Sequence, residues 1–234
     1  MKIKHKIIVI FIILLLAFGT GFFLSYQYQE IIREGEIPEE DAVKEESEER
    51  EPADRGITPE EVSYQEDNGS YTLKITGHEA ERILSDDYPS KPKISPEGRY
   101  VSYIAPAEWE QIGTLYVYDS IEQEEYALVD EKDLPDQHTP KNLWWLDEDH
   151  ILFVGGFGYG TVSVGGSLYA ALLSENEIVE IYPEEERKEV KNIEFEGDKI
   201  HINIAEFDES FIDYEVTVET ISREDIYQII EDND

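Results

Sequence analysis

The densest groupings of side chains able to hold a cation or move a proton are three acidic runs, Asp86-Asp87, Asp130-Glu131-Lys132-Asp133 and Asp147-Glu148-Asp149-His150. A hard divalent cation needs several converging oxygens. Asp147 and Asp149, two residues apart beside a histidine, are the best placed, and weak Ca2+ binding there is the expectation to weigh against ordinary solvated turns. None of the runs fits the D-x-[DN]-x-[DN]-G calcium loop. His78, His138, His150 and His201 form neither H-E-x-x-H nor a short-spaced pair, so they do not suggest zinc. Cysteine is absent, which removes thiol catalysis, Cys-ligated zinc, disulfides and a lipidated cysteine from consideration.

Two further stretches stand out for binding rather than catalysis. Gly155–Gly166, GGFGYGTVSVGG, is not a dinucleotide fingerprint, because Ser163 stands where G-x-G-x-x-G from Gly158 needs glycine. Nor is it a nucleophile elbow, because Thr161 stands two residues before Ser163. Glycines permit close backbone approach. The stretch therefore reads as an irregular connection between strands, or as a binding loop presenting Phe157 and Tyr159. Trp144-Trp145 would face opposite sides of a strand; one packs in the core and the other covers a neighbouring sheet or, with Trp109, offers a partner surface, since aromatics dominate interface hot spots. The candidate binding residues are Trp109, Trp144, Trp145, Phe157 and Tyr159, and the candidate cation ligands Asp147 and Asp149. No catalytic residue and no cofactor is assigned.

The elements that must position these residues are short strands. Ser70–Thr76 alternates with period two, placing Tyr71, Leu73 and Ile75 on one face, after an Asn68-Gly69 turn. Glu79–Leu84 reads as its hairpin mate. Lys93–Ala105 (KISPEGRYVSYIA) sets a type I turn, Ser95-Pro96-Glu97-Gly98, before a strand. Trp144–Gly156 (WWLDEDHILFVGG) and Ile193–Ala205 (IEFEGDKIHINIA) repeat the form, the starts at Ser95, Leu146 and Phe195 lying 51 and 49 residues apart. Hairpins follow each: Gly113–Val129, Gly166–Tyr182 and, more degenerate, Asp213–Ile230. Two elements recurring in register at about fifty residues indicate a repeat architecture.

ISPEGRYVSYIA followed by GTLYVYD resembles the TolB-type β-propeller repeat, and Gly166–Tyr182 resembles hairpins of quinoprotein-like propellers. The likeness covers roughly residues 93–231 and is sharpest over Ser95–Tyr103. Glu97 replaces the family's Asp, and the later copies lack Ser-Pro. The resemblance implies an all-β fold of propeller-like antiparallel sheet repeats, three clear plus one partial over 62–88, and protein-binding or scaffold roles. It brings no catalytic residues. Closed propellers use four to eight blades, so a minimal four-blade ring, an open stack and a rearranged sandwich all remain consistent with it.

Ahead of this domain, Ile7–Leu24 is apolar throughout and, at 1.5 Å per helical residue, about 27 Å long, matching a bilayer core. Lys2, Lys4 and Lys6 precede it, so the N-terminus is expected inside and the rest outside. The alternative is a signal peptide cut near Ala17/Gly19 or Gly19/Gly21, against which Phe22, Phe23 and Leu24 prolong the run. The expected organisation is a basic tail (1–6), an anchor (7–24), an acidic disordered stalk (25–61) and an extracytoplasmic domain (62–234). Residues 30–61 carry fourteen acids and four bases, and residues 62–234 a net charge of −29 within a total of −36. Such a surface repels nucleic acid and wall phosphate polymers and favours cations or a basic envelope partner. The function expected is a non-enzymatic, membrane-tethered binding or scaffold module; an envelope hydrolase with loop residues at a propeller face, or a sensor or inhibitor acting through a partner, are the alternatives. If the topology is as expected, protease added to intact protoplasts removes residues 30–234, whereas protection until the membrane is broken would reverse the orientation.

Overall fold

The computed structural model describes residues 56–76, 81–159 and 163–233. The tail, the anchor and residues 25–55 of the stalk lie outside the described residues. Among the described residues no helix is long and apolar enough to cross a membrane.

Among the described residues fourteen strands form four antiparallel sheets in strict chain order. The first holds β1 (Val62–Asp67), β2 (Ser70–Thr76) and β3 (Glu81–Ser85). The second holds β4 (Lys93–Ile94), β5 (Tyr100–Ala105), β6 (Thr114–Asp119) and β7 (Glu124–Val129). The third holds β8 (His138–Trp145), β9 (His150–Phe157), β10 (Ser167–Leu172) and β11 (Glu177–Tyr182). The fourth holds β12 (Lys188–Glu196), β13 (Lys199–Phe207) and β14 (Tyr214–Ser222), followed by α1 (Arg223–Asn233). A single 3-10 turn, Pro59–Glu61, leads into β1. The backbone N–H of Ile57 donates to the Gly98 carbonyl, and the Ile57 side chain packs into the first core. The folded body thus takes in 56–61, which composition alone groups with the stalk.

Side-chain alternation sorts three cores between successive sheets. Leu73, Ile75 and Leu84 meet Val101, Tyr103 and Tyr118 between sheets one and two. Ile104, Leu115 and Val117 meet Ile151, Phe153 and Tyr169 between sheets two and three. Leu152, Val154 and Leu168 meet Val190, Ile202 and Ile204 between sheets three and four. Among the described residues no hydrophobic cluster joins the first sheet to the last. β5, β9 and β10 are buried on both faces, which is why their sequences run as continuous apolar stretches rather than alternating.

The third hairpin expected from the repeat is corrected. Asp213–Ile230 is one strand and then a helix. Ser222 caps that helix: the Asp225 N–H donates to Ser222 Oγ at 3.0 Å, and the Ser222 N–H donates to Asp225 Oδ2 at 3.2 Å. Ile226 and Ile230, one helical turn apart, are both buried in the core between sheets three and four. Burying such a side chain fully contributes about 1.5–3 kcal/mol, and a strand would send these two residues, four apart, along one face with Gln228 and no cap.

Glycines close the junction of sheets three and four. Gly166 and Val190 exchange backbone hydrogen bonds of 3.1 and 2.7 Å. A Cβ on Gly166 would stand 2.1 Å from the Gly155 carbonyl oxygen, and one on Gly165 would stand 2.1 Å from that of Val190. Neither neighbour is a side chain that could swing away. Gly166→Ala is therefore expected to destabilise the domain by about 1–3 kcal/mol, as overpacking does, read as a lower urea midpoint with an unchanged slope; an unchanged midpoint would show that the junction yields freely.

Candidate functional site: an aromatic-rimmed cleft between sheets two and three

A cleft of about 270 Å3 opens where the β5–β6 connection passes the start of β8 and the end of β9. Its walls include Pro106, Trp109, Pro140 and Phe157, with Lys141 and Ser163 at its inner side. Three hydrogen bonds donated by backbone N–H groups brace its walls. The Gly113 N–H donates to Thr139 Oγ1 at 2.9 Å, the Ala107 N–H to the Tyr88 carbonyl at 2.8 Å, and the Gly158 N–H to the Gln137 carbonyl at 2.8 Å. Trp109 is 63% exposed, Phe157 41% and Tyr159 40%. Phe157 stands edge-on to both the His138 ring, at 6.3 Å, and the Tyr159 ring, at 6.0 Å.

Behind the aromatic rim lies a polar cluster with no sequence signature. Lys141 Nζ donates to Ser163 Oγ at 2.8 Å. Glu189 Oε2 accepts from the Val164 N–H at 2.8 Å, the Gly165 N–H at 2.7 Å and Ser163 Oγ at 3.2 Å. Burial pulls the Lys141 ammonium below its ordinary value, against the opposing pull of Glu189 and Glu184. A lysine beside a serine can serve as base and nucleophile. Here the two successive N–H groups that could stabilise an oxyanion are already given to the Glu189 carboxylate, which also takes the serine hydroxyl. In this arrangement the cluster pins the glycine-rich loop. The pattern was invisible in sequence because its members come from β8, the loop and β12.

Sequence-predicted residues divide between two places. Trp109 and Phe157 meet at the cleft, with Tyr159 against Phe157. Trp144 and Trp145 lie outside it, half-buried on opposite faces of β8: Trp144 packs on the core between sheets three and four, and Trp145 on the core between two and three. Trp145 also stacks on Tyr100 at 6.0 Å and donates from Nε1 to the Lys93 carbonyl at 3.2 Å. Both tryptophans pack against these cores in this arrangement.

The acidic run 147–149 is a fastening point. Asp147 Oδ1 accepts from the Asp149 and His150 N–H groups at 2.8 and 2.9 Å and lies 2.8 Å from His150 Nδ1, while Oδ2 accepts from the Tyr227 hydroxyl of α1. Glu148 accepts from Ser95 Oγ at 2.6 Å and from the Glu97 N–H at 2.8 Å, tying the Ser-Pro-Glu-Gly turn of sheet two to sheet three. Asp149 accepts from Ser174 Oγ at 2.6 Å and its N–H at 3.0 Å. The three carboxylates point to three different neighbours, and among the described residues no three His, Asp or Glu side chains gather as a metal site.

With this geometry the protein falls into the class of all-β proteins built from successive antiparallel, propeller-like sheets. Residues 36–223 match the family described as a domain of unknown function, DUF4652, and the chain belongs to that family. Comparison with functionally curated proteins gives no match. Among solved structures, a candidate conserved lipoprotein of Clostridium novyi NT is 26% identical, over 57% of this chain and 86% of that one, with a TM-score of 0.52. The β-propeller domain of the trilobed protease of Pyrococcus furiosus is 18% identical over 68% of this chain and 48% of its own, with a TM-score of 0.42. TolB of Acinetobacter baumannii is 15% identical over 65% and 35%, with a TM-score of 0.37. This chain spans less than half the length of the latter two.

Burial works against the charge on Asp147, but the hydrogen bonds from Tyr227, His150 and the Asp149 N–H outweigh it and hold the carboxyl below its ordinary range. A depressed folded-state value gives stabilisation that is complete above the unfolded carboxylate value, about 3.9, and is lost as pH falls through the folded value. Urea unfolding from pH 7 downward should therefore show Asp147→Asn less stable at pH 7, by about 1–2 kcal/mol, with the gap narrowing below about pH 3.9. A gap that stays constant to low pH would detach Asp147 from the acid response.

Proposed function

We propose that this protein is a membrane-tethered, extracytoplasmic binding module whose ligand is another envelope protein, docked at the Trp109–Phe157 cleft. The observation that carries the reading is the convergence of Trp109, from the β5–β6 connection, and Phe157, from the end of β9, on one cleft between two sheets. Exposed aromatics beside a preformed concavity are the usual anchors of a protein interface. The prolines on the cleft wall keep it rigid, which lowers the ordering cost of binding.

Placement outside the membrane is supported by the apolar run 7–24 with its Lys2/Lys4/Lys6 flank and by the likeness to the Clostridium novyi candidate lipoprotein. This sequence has no cysteine to carry a lipid, so the tether proposed is the apolar segment itself. Propeller-like sheets and the TolB-type repeat resemblance support a protein rather than a small-molecule ligand. The charge of −29 on residues 62–234 makes a basic or neutral partner the electrostatically favoured one.

The test is a photo-crosslinking amino acid placed at Trp109 in intact cells, with the same residue at exposed Ile83 of the first sheet as control. A discrete crosslinked protein at Trp109 alone, lost in the Phe157→Ala background, is the expected result. Equal adducts at both positions, or none at Trp109, would overturn the cleft as the docking site.

A further inference from the structure

Among the described residues the fourth sheet is one strand short of the two before it. Sheets two and three each end on a fourth strand, and in each the register slips between third and fourth, at Leu115/Tyr116 and Leu168/Tyr169. Their outermost strands, β7 and β11, are six residues long. Sheet four stops at β14, which is nine residues long, pairs with β13 without a slip, and contains neither proline nor lysine. Short length, bulges, lysine and proline are among the devices that protect a sheet edge from foreign strands; β14 lacks these four, and its only charged side chains are the acids Glu215 and Glu219, which repel acidic strands but not basic ones.

The direction of its free groups follows from the hydrogen bonds at its two ends. The Asp208 N–H donates to the Asp213 carbonyl, and the Arg223 N–H to that of Asp198. Odd-numbered residues therefore bond to β13, and the N–H and C=O groups of Tyr214, Val216, Val218 and Thr220 point to the open edge. Residues 211–220 are all exposed, Val216 by 50% and Val218 by 57%. Tyr214, Val216 and Val218 share the outer face of the sheet, whereas the outer face of the first sheet is mostly polar, carrying Ser63, Gln65, Thr72 and Lys74.

Charge states what would pair there. Glu215 and Glu219 project on the opposite face of β14, and Glu215 is directly across from Glu206 on β13, a like-charge pair that weakens the ladder until a cation joins it. At the start of the strand a cavity of about 320 Å3 is lined by Glu206, Asp208, Asp213 and Glu215 around Phe207 and Tyr214. Acids around aromatic rings suit a lysine or arginine side chain. Two other occupants are disfavoured by sign: a second copy brings another domain of −29, and the chain's own residues 30–61 carry fourteen acids against four bases.

We infer that β14 is a docking edge for an extended segment of a partner protein in which apolar residues alternate with lysine or arginine. The segment completes the fourth sheet by backbone hydrogen bonding to Tyr214, Val216, Val218 and Thr220. Its apolar side chains lie beside Val216 and Val218, and its basic ones lie opposite Glu215 and Glu219. This surface is separate from the Trp109 cleft and does not rest on it.

The probe is a fluorescein-labelled nine-residue peptide of alternating lysine and valine, titrated by fluorescence anisotropy into the full chain in nonionic detergent. It is compared with a peptide of the same composition in two blocks, and with one of alternating glutamate and valine. The expected result is saturable one-to-one binding of the alternating basic peptide, weaker by about tenfold for the block peptide and absent for the acidic one. Val218→Pro removes an edge N–H without a bond to β13 and should weaken binding by about tenfold, as should Val216→Lys, which serves if the proline variant melts early. Trp109→Ala should leave binding unchanged. Equal binding of the two basic peptides, or indifference to both edge variants, would reduce the effect to diffuse charge and overturn the proposal. A dimer in sedimentation that Val218→Pro dissolves would also overturn it, by giving the edge to a second copy.

Discussion

Sheets two and three are apolar on both faces, and neither could stand in water unless another sheet covered each side. That one constraint orders the molecule. β9 sends Ile151 and Phe153 toward sheet two and Leu152 and Val154 toward sheet four, and β10 repeats the division with Tyr169 and Ala171 against Leu168 and Ala170. The end sheets need cover on one side only, so the series can terminate. Sheet four is allowed to come close because Gly165 and Gly166 put backbone, rather than side chain, against Val190. The same glycines fix the loop that carries Ser163 behind the cleft.

Apolar stacking sets the spacing of the sheets but not their rotation about one another. Directional bonds supply that. Glu148 reaches back to the turn of sheet two, Asp149 to the adjacent hairpin of its own sheet, and Asp147 to Tyr227 on the terminal helix. Arg223 adds a hydrogen bond from its guanidinium to the Leu146 carbonyl. Burial and the bond to Asp147 push the Tyr227 hydroxyl up to about 12, so it stays a donor to that carboxylate across the physiological range. On the other side of the second sheet, burial and then its bond to Glu125 push the Tyr103 hydroxyl up as well, keeping it a donor to Glu125. An acidic protein thus spends several of its carboxylates on internal bonding and leaves the remainder as a repelling surface.

The exposed surface is left strongly negative. Against that charge, the places where apolar groups break the surface stand out: the cleft rimmed by Trp109 and Phe157, and the strip of Tyr214, Val216 and Val218. The first is concave and held by backbone ties. The second is a strand edge with its hydrogen-bonding groups unpaired among the described residues. Shape and hydrogen bonding therefore make the two surfaces suited to different ligands, a side chain in one case and an extended backbone in the other.

Much of this was legible in order along the chain. Period-two runs, the Asn68-Gly69 and Ser95–Gly98 turns and the recurrence at Ser95, Leu146 and Phe195 marked most of the strands and their repeat, because strand alternation and turn chemistry are local; β1 and the start of β8 carried no such signal. The last repeat misled because its strand is followed by Ser222 and Asp225, a helix cap that outcompetes the hairpin once Ile226 and Ile230 have a core to enter. Only tertiary structure decided the rest. Asp147 and Asp149 stood as candidate cation ligands or solvated turns, and that they bond to Tyr227 and Ser174 was invisible because those partners lie 80 and 25 residues away. Trp144 and Trp145 were legible as opposite faces of one strand, but which sheet covers each face of β8 was not. Lys141, Ser163 and Glu189 carried no signal at all, since three strands or loops separated by more than twenty residues have no local pattern to share. Sequence determines which way each side chain points from its own strand; which neighbour it then meets depends on how sheets stack, and that is settled by the sum of distant apolar contacts.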